Sequence, residues 1–257
     1  LYSAAATTCP GRAARLASTP SIDGGSATMS GGWGLRLRPY LPWLVVSSAA
    51  MAGAAVLQVR GGDAFERVLG PLPPTVVVAG AGAAGLLALD RLRARGMWRR
   101  AAAWRTVRGL AVATFATLPF AAAAVAIDVA VGFPRDTNAT WPQAWLFYPS
   151  VAVVAETVFH LLPLATLAAL SHTRLDGRAV TPRAAALIGA TAAVEPVAQV
   201  ALGTALPLFT VAHVYVFGVV QLVLLRRYGY LPMLWMRLCY YLLWHILWGA
   251  ARLELLF

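Results

Sequence analysis

The feature that most constrains this chain is an alternation repeated along its length: apolar runs of helical length, each closed by a short cluster of Arg, Gly and Pro. The runs fall at 41–59, 74–90, 109–132, 144–170, 184–203, 205–225 and 232–255. A helix of ~20 apolar residues crosses the ~30 Å hydrocarbon core of a bilayer. The pattern predicts an all-α protein, a polytopic transmembrane helix bundle of about seven spans. Composition points the same way: only 12% of the residues are charged and 60% are hydrophobic, whereas a soluble domain carries about 25% charge. The second run holds GAGAAG at 80–85, preceded by a short Val run and followed by Asp90. This matches the dinucleotide-binding pattern GxGxxG, but no soluble βαβ context surrounds it. Small residues at this spacing are read instead as a close helix-packing surface.

The net charge of +11 comes from 21 basic and 10 acidic residues, and every basic residue is Arg. Charge of this size can signal nucleic-acid binding, but its placement argues for membrane topology. Arg91, Arg93, Arg95, Arg99, Arg100, Arg105 and Arg108 share one connection; Arg174, Arg178 and Arg183 share another; Arg226 and Arg227 share a third; Arg36 and Arg38 precede the first span. With seven spans these regions lie on one side, which predicts the N-terminus inside and the C-terminus outside. Trp141, Trp145, Tyr148, Tyr230 and Trp235 fall near span ends, as an aromatic belt does. The expected partners are a lipid bilayer and a peptide or membrane-protein substrate, with no nucleic acid. The Ala- and Arg-rich composition suggests a GC-rich coding sequence, and a bacterial cell membrane is the expected location.

Residues 1–38 read as a disordered or extraneous extension and leader: 1–28 are small and polar, and Met29 resembles a natural start. Residues 39–257 form the membrane domain. Cys9 and Cys239 have no spacing suited to a disulfide framework or a zinc site. Asn138-Ala-Thr is a glycosylation sequon, read here as chance.

Several polar residues stand inside spans, where an ionisable group is costly and is by default a functional-site hypothesis. Glu156 and His160 are spaced i, i+4 and share a helix face, as do Glu195 and Gln199. His213 and His245 lie in the last two runs, so three of the 4 histidines are within spans. At ~1.5 Å per residue all these groups fall roughly 10–20 Å below the outer surface, in one layer. A carboxylate with an imidazole can deprotonate water, and a second imidazole can stabilise an oxyanion, which together would cleave an amide. The same groups could hold a divalent metal, although di-iron bundles use Glu-x-x-His and here the spacing is Glu-x-x-x-His. They could also bind a proton, or form a satisfied polar core. No cofactor is otherwise indicated. Asp128 is expected at the interface, and Arg237 is expected to snorkel or to pair within the bundle.

The second half, about 144–255, resembles the CPBP (Abi) family, the intramembrane proteases related to CAAX prenyl endopeptidases, whose motifs are EExxxR, FxxxH and HxxxN. Ala155-Glu156 to His160 is similar to EExxxR, with Ala for the first Glu and His for Arg. Phe209 to His213 fits FxxxH, and His245 to Gly249 fits HxxxN with Gly for Asn. The FxxxH helix arrives one helix later than the family pattern, so either His213 or Glu195 occupies that place. The resemblance implies a glutamate-dependent intramembrane endopeptidase. In it Glu156 is the general base, His213 holds the water and His245 stabilises the oxyanion, while His160 and Glu195 orient or bind.

Overall fold

The structure is a computed structural model that describes residues 39–60, 65–66, 70–97, 103–173, 175, 180–204 and 206–257. The expectation for residues 1–38 lies outside the described residues. Every regular element among the described residues is helical. In chain order these are α1 (Leu41–Val59), α2 (Pro74–Ala94), α3 (Ala103–Val131) and α4 (Ala144–Ala155). A π-helical segment, Glu156–Leu161, joins α4 to α5 (Leu162–Leu170). Next come α6 (Pro182–Ala192), α7 (Val194–Ala201), α8 (Pro207–Tyr228) and α9 (Tyr230–Tyr240). A second π segment, Tyr241–Trp248, leads into α10 (Gly249–Leu255).

Among the described residues 6 helices are long and apolar enough to cross a membrane, so the chain is an integral membrane protein with an all-α polytopic bundle. The unbroken helical run from Tyr230 to Leu255 is not one of the 6. Arg237, His245, Arg252 and Glu254 dilute its hydropathy, yet Met233, Leu234, Met236, Arg237 and Trp244 are buried. One face of it is buried in the bundle, where Arg237, His245 and Arg252 find protein partners, while Trp235 and Leu247 face outward.

Element limits differ from the sequence expectation where polar residues extend a helix or proline divides one. The second run continues past 90 to Ala94, and the third begins at Ala103 instead of 109. The fifth, expected over 184–203, is two helices that meet at Ala193. Pro196 has no N–H to offer the Ala192 carbonyl, so the helical ladder is interrupted there. Thr181 caps α6 by accepting the Ala184 N–H at 3.2 Å. Gly229, with φ +95°, makes the turn between α8 and α9, a conformation that L side chains rarely adopt.

Helix α1 packs on α2 and α4, α2 lies against the first π segment, and α9 is clasped between α3 and α8. The GAGAAG stretch sits in the middle of α2. Trp43, fully buried, donates from its indole Nε1 to the Gly82 carbonyl at 2.8 Å. A Cβ at Gly85 would overlap the Trp43 ring and come within 2.8 Å of Thr157 Oγ1. This stretch is therefore the surface on which α1 and the π segment approach. Gly85→Ala should lower stability by about 1–3 kcal/mol, the overlap outweighing the ~1 kcal/mol gain in helix propensity. Thermal unfolding in detergent checks this, and an unchanged or raised midpoint would contradict it.

Candidate functional site

Arg237 on α9 is the hub of the polar core, with 3% of its surface exposed. Its Nε donates to Glu156 Oε1 at 2.5 Å. Its NH1 donates to Glu195 Oε1 at 2.8 Å and to the Tyr241 hydroxyl at 3.3 Å. Its NH2 donates to Glu195 Oε2 at 2.7 Å and to Gln221 Oε1 at 3.1 Å. A guanidinium has five N–H groups, and these partners engage all of them. Arg237 therefore pairs inside the bundle and does not reach to an interface.

The partners arrive from separate elements. Gln221 on α8 donates from Nε2 to Glu156 Oε1 and to the Met233 carbonyl. Gln199 on α7 donates to Glu195 Oε1 at 3.3 Å. Glu156 and His160 occupy the first π segment, a geometry often found where a helix carries function. His160 Nδ1 lies 3.2 Å from Glu156 Oε2, and its Nε2 lies 4.0 Å from Glu195 Oε2. The structure thus gathers Glu156, His160 and Glu195 around one arginine.

Two cavities flank this core. One, of about 360 Å³, is bordered by Glu195, Gln199, His213, Arg237, Tyr240 and His245. The other, of about 720 Å³, runs along Val151, Val154, Val158 and Phe159 and is mainly apolar. They share Thr137, Glu195, Gln199, Tyr241 and His245 as a common wall. Glu156 and His160 are fully buried and line neither. Of the five expected site residues, Glu195, His213 and His245 meet at the cavities, Glu156 and His160 lie behind Arg237, and Glu195 belongs to both groups.

The two cavity imidazoles are held differently. His213 Nε2 is 3.1 Å from the Tyr240 hydroxyl, with the Phe209 ring 4.8 Å away. His245, in the second π segment, places Nδ1 2.6 Å from Asn138 Oδ1 and stacks on Tyr148 with ring centres 4.6 Å apart. The sequon residue Asn138 is therefore buried and engaged with a histidine.

Asp128 departs from its expected interfacial place: it is 1% exposed. Arg252 binds it through Nε to Oδ2 at 2.6 Å and NH2 to Oδ1 at 2.9 Å. Trp248 Nε1 adds a bond at 2.7 Å. The paired arginine is what allows the carboxylate to be buried. Arg252 also donates to the carbonyls of Phe133 at 2.6 Å and Pro134 at 3.0 Å, so the 132–143 connection is tied to the last helix.

Sequence reasoning missed Gln221, Tyr240 and Asn138 as members of the site. Gln221 carried a readable signal, a lone amide in an apolar run, whereas Asn138 lies in a connection with no periodicity. Among the described residues no group of three or more His, Cys, Asp and Glu is arranged to hold a metal ion. No family model matches the chain, nor does any curated protein or solved structure.

Proposed function

We propose that this protein is an intramembrane hydrolase of amide bonds, a divergent relative of the CPBP proteases, with its reaction centre at the cavity where Glu195, His213 and His245 meet. The observation that carries this reading is that convergence: one carboxylate and two imidazoles from separate helices border a cavity that adjoins an apolar cleft. The cleft suits an extended apolar peptide segment. With the Arg clusters on the inner side, the cavity opens toward the outer side, beside the 132–143 connection.

In this reading the base is an imidazole. Both oxygens of Glu195 are engaged by Arg237, and Glu156 lies away from the cavity. His245 takes a proton from water, and the hydroxide oxygen bonds to the carbonyl carbon. The C–N bond then breaks, and the imidazolium returns its proton to the departing nitrogen. His213 and the Gln199 amide stabilise the oxyanion, and Glu195 orients Gln199. The test is proteolysis by the purified protein in lipid vesicles, on transmembrane and prenylated peptides. His245→Ala should lower cleavage about 100-fold or more, with Glu156→Gln and His213→Ala run beside it and no sensitivity to chelator. A folded wild-type protein that cuts none of the panel would count against the reading, and cleavage abolished by chelator would replace it with a metal mechanism.

A second reading, a proton-binding site, rests on a different observation. Two carboxylates surround one guanidinium, which leaves one negative charge for a proton on His160 or a carboxylate to balance. His160 Nε2 is buried without a hydrogen-bond partner among the described residues, and Glu156 Oε2 has the His160 ring nitrogen Nδ1 3.2 Å away. Here vesicles loaded with a pH-sensitive dye should report proton movement that His160→Ala abolishes, with no peptide cleaved. A flat dye signal from wild type would eliminate this reading.

A further inference from the structure

Gly249 and Asn138 fit together in a way that neither the motif pattern nor the cavity accounts for. Gly249 begins α10, directly after the π segment that carries His245. A Cβ at 249 would stand 2.8 Å from Asn138 Nδ2 and 3.1 Å from Asn138 Cβ and Cγ. The absent side chain is thus the space into which Asn138 inserts. That insertion leaves Asn138 Nδ2 buried without a partner among the described residues. A buried amide N–H left unmade is costly, so the opposite end of the amide should be held by a strong contact. That contact is Oδ1 to His245 Nδ1 at 2.6 Å.

The surroundings deliver Asn138 to this place. The Thr137 N–H donates to the Pro134 carbonyl at 3.1 Å, closing a turn whose Phe133 and Pro134 carbonyls are held by Arg252. On the other side of Asn138, the Ala139 N–H donates to the Tyr148 hydroxyl at 2.9 Å. Tyr148 is also the ring on which His245 stacks, and Tyr241 meets the imidazole edge-on with centres 5.1 Å apart. One tyrosine therefore fixes both the histidine plane and the backbone beside the asparagine.

An amide oxygen only accepts, so the nitrogen facing it must carry the ring proton. In a neutral imidazole the other nitrogen then keeps its lone pair. We propose that Asn138 is the positioning residue of His245: it holds the ring proton on Nδ1 and keeps Nε2 as the bare acceptor that a general base needs. This rests on the hydrolase reading for its purpose, but the tautomer itself does not depend on any reaction.

The test is nitrogen-15 NMR of histidine-labelled full-length protein in lipid vesicles, with the His245 signals assigned by their loss in His245→Ala. Wild type should show a protonated Nδ1 and an unprotonated Nε2. Asn138→Asp retains the acceptor oxygen and should keep the proton on Nδ1. Asn138→Ala should mix the two tautomers. Gly249→Ala, which leaves the asparagine in the sequence but fills its space, should do the same, so the conclusion does not depend on one variant folding. Where cleavage is measurable, Asn138→Ala should lower kcat at least tenfold with KM little changed. A wild-type ring protonated on Nε2, or a folded Asn138→Ala that keeps the wild-type tautomer, overturns the proposal. Loss of cleavage by wild type with the tautomer as expected would instead remove the hydrolase reading alone.

Discussion

Arg237→Ala will destabilise the bundle by about 3–5 kcal/mol, the scale for removing one partner of a buried ion pair. The reason is the pair of carboxylates it leaves behind. Glu156 and Glu195 come from different helices, and both are held by the same guanidinium. Without it they are like charges in a largely buried core, where screening is weak. Gln221 would lose an acceptor role and Tyr241 a donor at the same time. Thermal unfolding in detergent should show a large fall in midpoint, or little folded protein should accumulate. The triple variant Arg237→Met, Glu156→Gln, Glu195→Gln should recover part of the loss, because it removes every charge together. A midpoint for Arg237→Ala within error of wild type would show that the cluster is not the keystone described above.

Asp128→Ala should cost a similar amount, about 3–5 kcal/mol, through a second and separate pair. Here the group left behind is a cation: Arg252 is fully buried, and two of its N–H bonds end on that carboxylate. Arg252 also anchors the carbonyls of Phe133 and Pro134, so the effect should extend to the 132–143 connection. Limited proteolysis checks this: cleavage within 132–143 should rise sharply in the variant, while cleavage at the Arg-rich connections stays at the wild-type rate. Equal protection of that connection in both proteins would show that the pair does not hold it.

The membrane fold was legible because lipid imposes one demand on every span, a long apolar run, and that demand leaves a mark in a single sequence. The break at Ala193 was less legible, since it depends on how one proline interrupts a ladder. The final helix was read from its apolar residues, although its charges give it the weakest hydropathy. Glu156–His160 and Glu195–Gln199 were visible as polar pairs on helix faces, and both pairs lie at the core. What could not be read was which of them faces open space. That depends on how each helix is turned against its neighbours, which tertiary packing sets. Asn138 was invisible for another reason: its position follows from anchors at Tyr148 and at Arg252, the second of them far away along the chain.

The chain writes all 21 of its basic residues as arginine, which conceals where that choice matters. Along 91–108 the demands are lighter: Arg95 donates one N–H to the Ala168 carbonyl at 3.1 Å and Arg93 stands over the Tyr40 ring, both of which an ammonium can also do. At 237 the requirement is a flat fork that reaches five acceptors at once, and lysine's three donors on a flexible stem cannot satisfy it. At 252 the fork grips a carboxylate and two carbonyls together. Among related sequences of differing base composition, Arg-to-Lys exchange should therefore drift freely through the connections and stop at these two positions.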